Sequence, residues 1–329
     1  MKSTPPSACT THIVLGLFVV AAFIGAQQVR ADAAGDEESA RVEKLIEQLG
    51  SAFFDEREAA ATELRKIGTR ACEKLADARN HPSAEVRSRA TALLRQLHVF
   101  PLRDAFQAFA KQADEQLDLE EGMFLISRIL NNDVRREALT KQLDQLAAAV
   151  RKKLGEGVVP KSVEPERMVT VLREVLFDDE KLGGNFDDYQ NPANSSLEKV
   201  LQTRKGLPIL VSHVVIAVGR RLEIPIVGLP TAGRYIVKYD GSRAPPGSTQ
   251  SDIFFDPFDN GRVLTREMRA ELFPGTDPER LVEAQSKRKD LIRMLNNLET
   301  HLFNRDEISP AYLAVEFRVA LEQNPIQVE

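Results

Sequence analysis

The chain has 329 residues, 43% hydrophobic and 28% charged, with a net charge of −5. That is enough for two or three domains with their own cores, and it excludes both a long disordered protein and a basic nucleic-acid binder. Trp is absent and only four Tyr are present, so platforms for stacking sugars or bases are poorly supplied.

The first stretch reads as an export leader. Lys2 is followed by an apolar run from Ile13 to Ala26 and by Ala31 and Ala33 in an A-x-A arrangement, which predicts a signal peptide over 1–33 cleaved after Ala33. The chain is therefore expected to be exported, periplasmic or extracellular. The run is shorter than the roughly 20 residues of a spanning helix, and contact with a membrane is expected only if the leader stays uncleaved. Cleavage would remove Cys9 and leave Cys72 alone, so no intramolecular disulfide can form and stability must come from the core.

From Arg41 to Leu97 the apolar residues recur at helical spacing, beginning Val42, Leu45, Ile46, Leu49. Two stretches echo each other, one around Arg57, Ala60 and Leu64, the other around Arg87, Ala90 and Leu93. The echo resembles a pair of HEAT-type helical repeats, assigned to residues 34–100. Cys72, among Ala71, Leu75 and Ala76, reads as a buried structural thiol.

Helices are predicted to continue over 102–154, one opening at Leu119 and another over about 135–154, before Gly155, Gly157 and Pro160 break the pattern. A further amphipathic helix is expected over 165–177. The Gly183–Tyr189 segment reads as a loop, and Asn194, Ser195 and Ser196 as a helix N-cap region. Pro208 suits the first turn of an apolar helix running to Leu222, because a proline there sacrifices no hydrogen bond. Strands are expected at 224–229, 234–239, 252–255 and 262–264, with a turn-rich hairpin loop over 240–251. Two helices, about 279–303 and 309–323, close the chain.

The blocks LEEGMFLISRIL, NFDDYQNPANSSLEKVLQTRKGLPI, RRLEIPIVGLP, GRYIVKY, FFDPFDNGRVL and DLIRMLNNLE follow one another over residues 117–325. In that order they resemble the SirB-type transglutaminase-like family. The resemblance implies an α+β fold, mainly helical, in which a transglutaminase-like (papain-like) core with a short antiparallel sheet spans 101–275. It also implies a tetratricopeptide-like (TPR-like) helical tail over 276–329.

The wider superfamily uses a Cys, His and Asp triad, with the cysteine at a helix start and the histidine as its base. Carried over position by position, the cysteine position is Pro208, the histidine position Arg234 and the acidic position Asp256. Proline has no side-chain nucleophile, and a permanently protonated guanidinium cannot act as a general base. The expectation is that Arg234 and Asp256 form an ion pair. The alternative is that Arg234 faces solvent, or grips an anionic ligand or a peptide carboxylate.

Asn185, Asp188, Tyr189, Asn194, Ser195, Arg204 and Gly206 match family motif positions and either line a remnant cleft or cap helices and tie loops. Ser212 and His213 are helix neighbours about 100° apart and do not face each other. No His-x-x-x-His or Cys-x-x-Cys pair is present, so neither metal nor cofactor is expected. The expected function is that of an exported, non-catalytic module that binds a protein or peptide partner and no nucleic acid. The alternative is a hydrolase of peptide or amide bonds working through Ser195, Ser212 or other unassigned residues.

Overall fold

The computed structural model describes residues 38–231, 233–274 and 285–323. The expected leader lies outside these residues, as does the 279–284 part of the expected C-terminal helix. The chain divides into two compact units, the first ending at Pro101 and the second beginning at Leu102.

The first unit contains α1 (38–48), α2 (Phe54–Ile67), α3 (Cys72–Asp77) and the start of α4 (Ala84–Ala110), which continues into the second unit. Their apolar stripes meet in a core of Val42, Ile46, Leu49, Leu64, Leu75, Val86 and Leu93 among others. The repeated arginines perform one job twice. Arg57 Nη1 donates to the carbonyls of Ser51 and Ala52, and Arg87 Nη1 donates to those of His81 and Pro82, the same offset each time. Each guanidinium thus ties its helix to the turn before it. Cys72 departs from the expectation of full burial. It opens α3, is only partly buried and packs against this core; burial still pushes its thiol pKa up.

The second unit holds α5 (Leu119–Leu130), α6 (Arg136–Leu154), α7 (Pro165–Arg173), α8 (Leu197–Thr203), α9 (Pro208–Arg221), α10 (Arg266–Leu272), α11 (Lys287–Phe303) and α12 (Ile308–Glu322). Polar caps set several of the starts. The Asp118 side chain accepts from Glu120 N at 3.0 Å, Ser196 from Lys199 N at 3.5 Å and Ser286 from Lys289 N at 3.3 Å. The helix predicted over 165–177 keeps α geometry to Arg173 and then widens into a π turn over Glu174–Asp179.

A two-residue parallel pair, β1 (Gly183–Gly184) with β2 (Lys205–Gly206), replaces part of the expected loop. The main sheet is an antiparallel meander of β3 (Ile226–Thr231), β4 (Arg234–Tyr239), β5 (Ile253–Asp256) and β6 (Arg262–Val263). The first strand starts two residues later than predicted. Glu223 takes a left-handed φ of 57° after α9, and Ile226 N bonds Ile224 O within its own chain segment, so the strand begins at Ile226. Helix α9 is apolar all round because it is covered all round, by β3 and β4 on one side and α6 on another.

The C-terminal pair α11 and α12 is part of this unit's core. Phe317 stacks on Phe106 with ring centres 3.9 Å apart, and buried Arg288 donates to the carbonyls of Ala110, Gln112 and Leu321. Ser127 is the corresponding fastener for α8. Fully buried, it donates to Met123 O at 2.7 Å and accepts from Leu197 N at 2.8 Å. Ser127→Ala strands that amide in the core, and urea unfolding should show a loss of about 1–3 kcal/mol with an unchanged far-ultraviolet spectrum.

Candidate functional site

Asp256, expected from the sequence at the acidic position, ends β5. Its carboxylate is about as buried as a side chain can be, at 1% exposure. One oxygen accepts from the backbone amides of Phe258 at 3.0 Å and Asp259 at 3.4 Å, which curls the chain into the turn leading to β6. The other accepts from Arg234 Nη1 at 2.9 Å. Arg234 opens the adjacent strand β4, and its guanidinium is 40% exposed, so the pair joins a core carboxylate to a cation at the surface. Burial pushes the Asp256 carboxyl above the ordinary range, against the opposing pull of Arg234 and the two amides.

Pro208 stands at the first position of α9, where the chain enters through a bond from Leu207 N to Asn194 O at 3.2 Å. Gly206, just before it, lies so close to Val200 that a Cβ would meet its methyl at 2.6 Å. Asn185 N donates to Gly206 O at 3.2 Å, and Gly184 N donates to Phe258 O at 2.9 Å. A Cβ on Gly184 would strike the Phe258 ring at 2.6 Å. These contacts stitch the turn after Asp256, the 185–189 loop and the start of α9 into one surface.

The other motif residues divide between two roles. Asn194 is a tie: its Oδ1 accepts from Asn185 Nδ2 at 2.9 Å, and its Nδ2 donates to the carbonyls of Asp188 and Tyr189 at 2.7 and 3.1 Å. Arg204 ends α8 in the left-handed region (φ 61°) and pairs with Glu180 at 2.8 Å, turned to a different partner from Arg234. Tyr189 is exposed, its ring edge-on to Phe258 at 5.9 Å. Ser195 is buried, and its hydroxyl has no hydrogen-bond partner.

One polar cluster escaped the sequence reading. His213 Nε2 lies 3.2 Å from Asp290 Oδ2, both residues at most 5% exposed, and Tyr235 Oη donates to the same oxygen at 2.8 Å. The imidazole is near enough for attraction but not aligned to donate, so His213 Nε2 and Asp290 Oδ1 lack hydrogen-bond partners. Burial, then Asp290, push the Tyr235 phenol up, which keeps it a donor. Ser212 Oγ donates to Tyr235 O at 2.9 Å, so this hydroxyl is engaged with backbone and not with its histidine neighbour. Arg293 completes the region by donating to Arg234 O at 2.8 Å. The signal was Asp290 in the DLIRMLNNLE block, but nothing local pairs it with a histidine 77 residues earlier.

The site thus offers a carboxylate fixed by a guanidinium, a helix that begins with Pro208, a Ser212 hydroxyl engaged with a backbone carbonyl and a Ser195 hydroxyl without a hydrogen-bond partner. Residues 137–296 match the family described as the transglutaminase-like superfamily. A UPF0162 protein of Xylella fastidiosa strain Temecula1 is 33% identical over 207 residues, covering 59% of this chain and 68% of that protein. A UPF0162 protein of Pseudomonas aeruginosa is 28% identical over 145 residues, 44% of this chain and 48% of the relative. Human F-box only protein 21 is 25% identical over 224 residues, 63% of this chain but 36% of that protein. No solved structure matches.

The raised Asp256 carboxyl fixes the sign of a pH effect. A carboxyl raised on folding stabilises the native state fully below its unfolded value of about 3.9, and that contribution is lost as pH rises through the native value. Urea unfolding from about pH 3 to about pH 8 should therefore show wild type losing stability relative to Asp256→Asn as pH rises. Arg234→Met should deepen that loss, extend it to higher pH, and cost about 1–3 kcal/mol at neutral pH, solvent screening at Arg234 keeping the figure modest.

Proposed function

The chain belongs to the transglutaminase-like superfamily and to the UPF0162 proteins, and on that footing we propose that it is an exported, non-catalytic module that binds a protein or peptide partner. The observation that carries this reading is the Arg234–Asp256 ion pair at 2.9 Å beside a helix that begins with Pro208. Cysteine-nucleophile chemistry needs a thiolate at the helix start and a base that can take up a proton. Proline supplies neither, and a guanidinium engaged with the carboxylate holds its proton at any usable pH.

The flanks support binding over catalysis. We read 34–100 as a HEAT-like segment, 101–275 as the transglutaminase-like domain and 276–329 as a TPR-like pair, and helical repeats of both kinds present surfaces for protein contacts. A hydrolase would need an activated serine. The Ser212 hydroxyl is committed to Tyr235 O, and no base bonds the Ser195 hydroxyl.

A serine-directed fluorophosphonate probe separates the two classes. Intact-mass analysis of the native protein should show no adduct after prolonged incubation. An adduct mapped to Ser195 or Ser212, abolished by prior unfolding, would make the chain an enzyme.

A further inference from the structure

Helix α12 is apolar on two opposite sides, and only one of them is covered. Leu313, Ala314, Phe317 and Leu321 are among the residues it buries. At about 100° per residue, Ile308, Tyr312, Val315 and Val319 fall within a sector of about 60° on the opposite side, and no other residue of the helix shares that sector. Ile308 is 47% exposed, Tyr312 is 64% exposed, and the two valines are partly buried. Phe303, at the end of α11, packs edge-on against Tyr312 with ring centres 5.9 Å apart and widens the stripe there. A helix that is apolar all round is normally covered all round, as α9 is. The steps along the stripe, four residues, then three, then four, are those of a helix–helix seam.

The borders of the stripe indicate what covers it. Arg318 and Glu322 lie along one side and Glu316 along the other, and each is already in an ion pair within the chain: Arg318 with Glu299 and Glu322, and Glu316 with Arg103. Both signs are present and engaged, so the border neither calls for a strongly charged partner nor repels a copy of itself. The side-chain sizes are self-matched as well. Two antiparallel copies of α12, meeting at the midpoint between Tyr312 and Val315, set Tyr312 against the partner's Val315 and Ile308 against the partner's Val319. A larger side chain then faces a smaller one at every step, which lets the two rows interdigitate. A parallel pairing would put the tyrosines on each other. The stripe and Phe303, counted on both copies, bury on the order of 1,000 Å², the lower bound of a specific interface, so the association is weak.

We infer that the outer face of α12 is a self-association surface, on which a second copy of this chain docks antiparallel about a two-fold axis. Such a contact needs one patch used twice, and the stripe supplies it. It uses neither Arg234 nor Asp256 and does not depend on the binding-module reading. A serine adduct would end that reading without touching the stripe, while the results below bear on the stripe alone.

The test is sedimentation velocity of the intact protein over a concentration series. Wild type should pass from monomer to dimer with a midpoint on the order of tens of micromolar, as an interface of this size implies. Tyr312→Lys and Val315→Glu each place an unpaired charge in the contact and should weaken association about tenfold or more. Mixed in equal amounts, the two variants should associate again, because the antiparallel pairing sets the introduced cation against the introduced carboxylate. Ile308→Lys mixed with Val319→Glu repeats the test at the outer pair should either of the first variants misfold in a thermal melt. Wild type that stays monomeric throughout the series overturns the inference. So does a dimer that both single variants leave intact, or a folded pair whose mixture associates no better than its components.

Discussion

A carboxylate cannot sit in a protein core without partners, and the arrangement around Asp256 follows from that requirement. Two backbone amides and one guanidinium satisfy it. The amides come from Phe258 and Asp259, so satisfying the charge also sets the turn after β5. The turn presents Phe258, whose ring lies on Gly184 and whose carbonyl anchors the same glycine. Gly184 leads into Asn185, which bonds the carbonyl of Gly206 two residues before α9. One buried charge therefore governs how the loops meet at the start of the apolar helix, and glycines stand where any side chain would push these segments apart.

A second set of buried polar groups works in the first half of α9, one residue along β4 from Arg234. Asp290 receives the Tyr235 hydroxyl and lies against His213, joining α11 to both α9 and β4. Nearby, Arg288 and Lys287 reach carbonyls at the end of α4 and in the 110–117 connection. The C-terminal helices are consequently part of the second unit's interior.

Much of this was legible in the sequence because it is local. Pro208 at a helix start, Ser196 as a cap and the β-like run over 234–239 all depend on neighbours a few residues away, and the family blocks singled out Arg234 and Asp256. The ion pair between them was the expectation once the resemblance had singled out those two positions, because arginine suits carboxylate pairing, and it is formed at 2.9 Å. What was missed is long-range or depends on context. His213 and Asp290 each look unremarkable on their own helices, and only packing brings them within 3.2 Å. The π turn at 174–179 and the parallel pair at Gly183 and Lys205 leave no periodic trace. Cys72 sat in an apolar run that suggested full burial, but it opens the six-residue α3 and is only partly buried.

In the proposed reading, Arg234 stands at the superfamily's histidine position and keeps a partner on the buried acid without offering a base, and Pro208 stands at its cysteine position and keeps the helix start without a nucleophile. The most direct measurement of that claim is a double-mutant cycle on Arg234→Met and Asp256→Asn at neutral pH, read by denaturant unfolding. If the two residues act as one structural unit, the losses will be non-additive, with a coupling of about 1 kcal/mol or more. Losses that simply add, to within about 0.5 kcal/mol, would contradict it and return Asp256 to the list of groups free to serve chemistry.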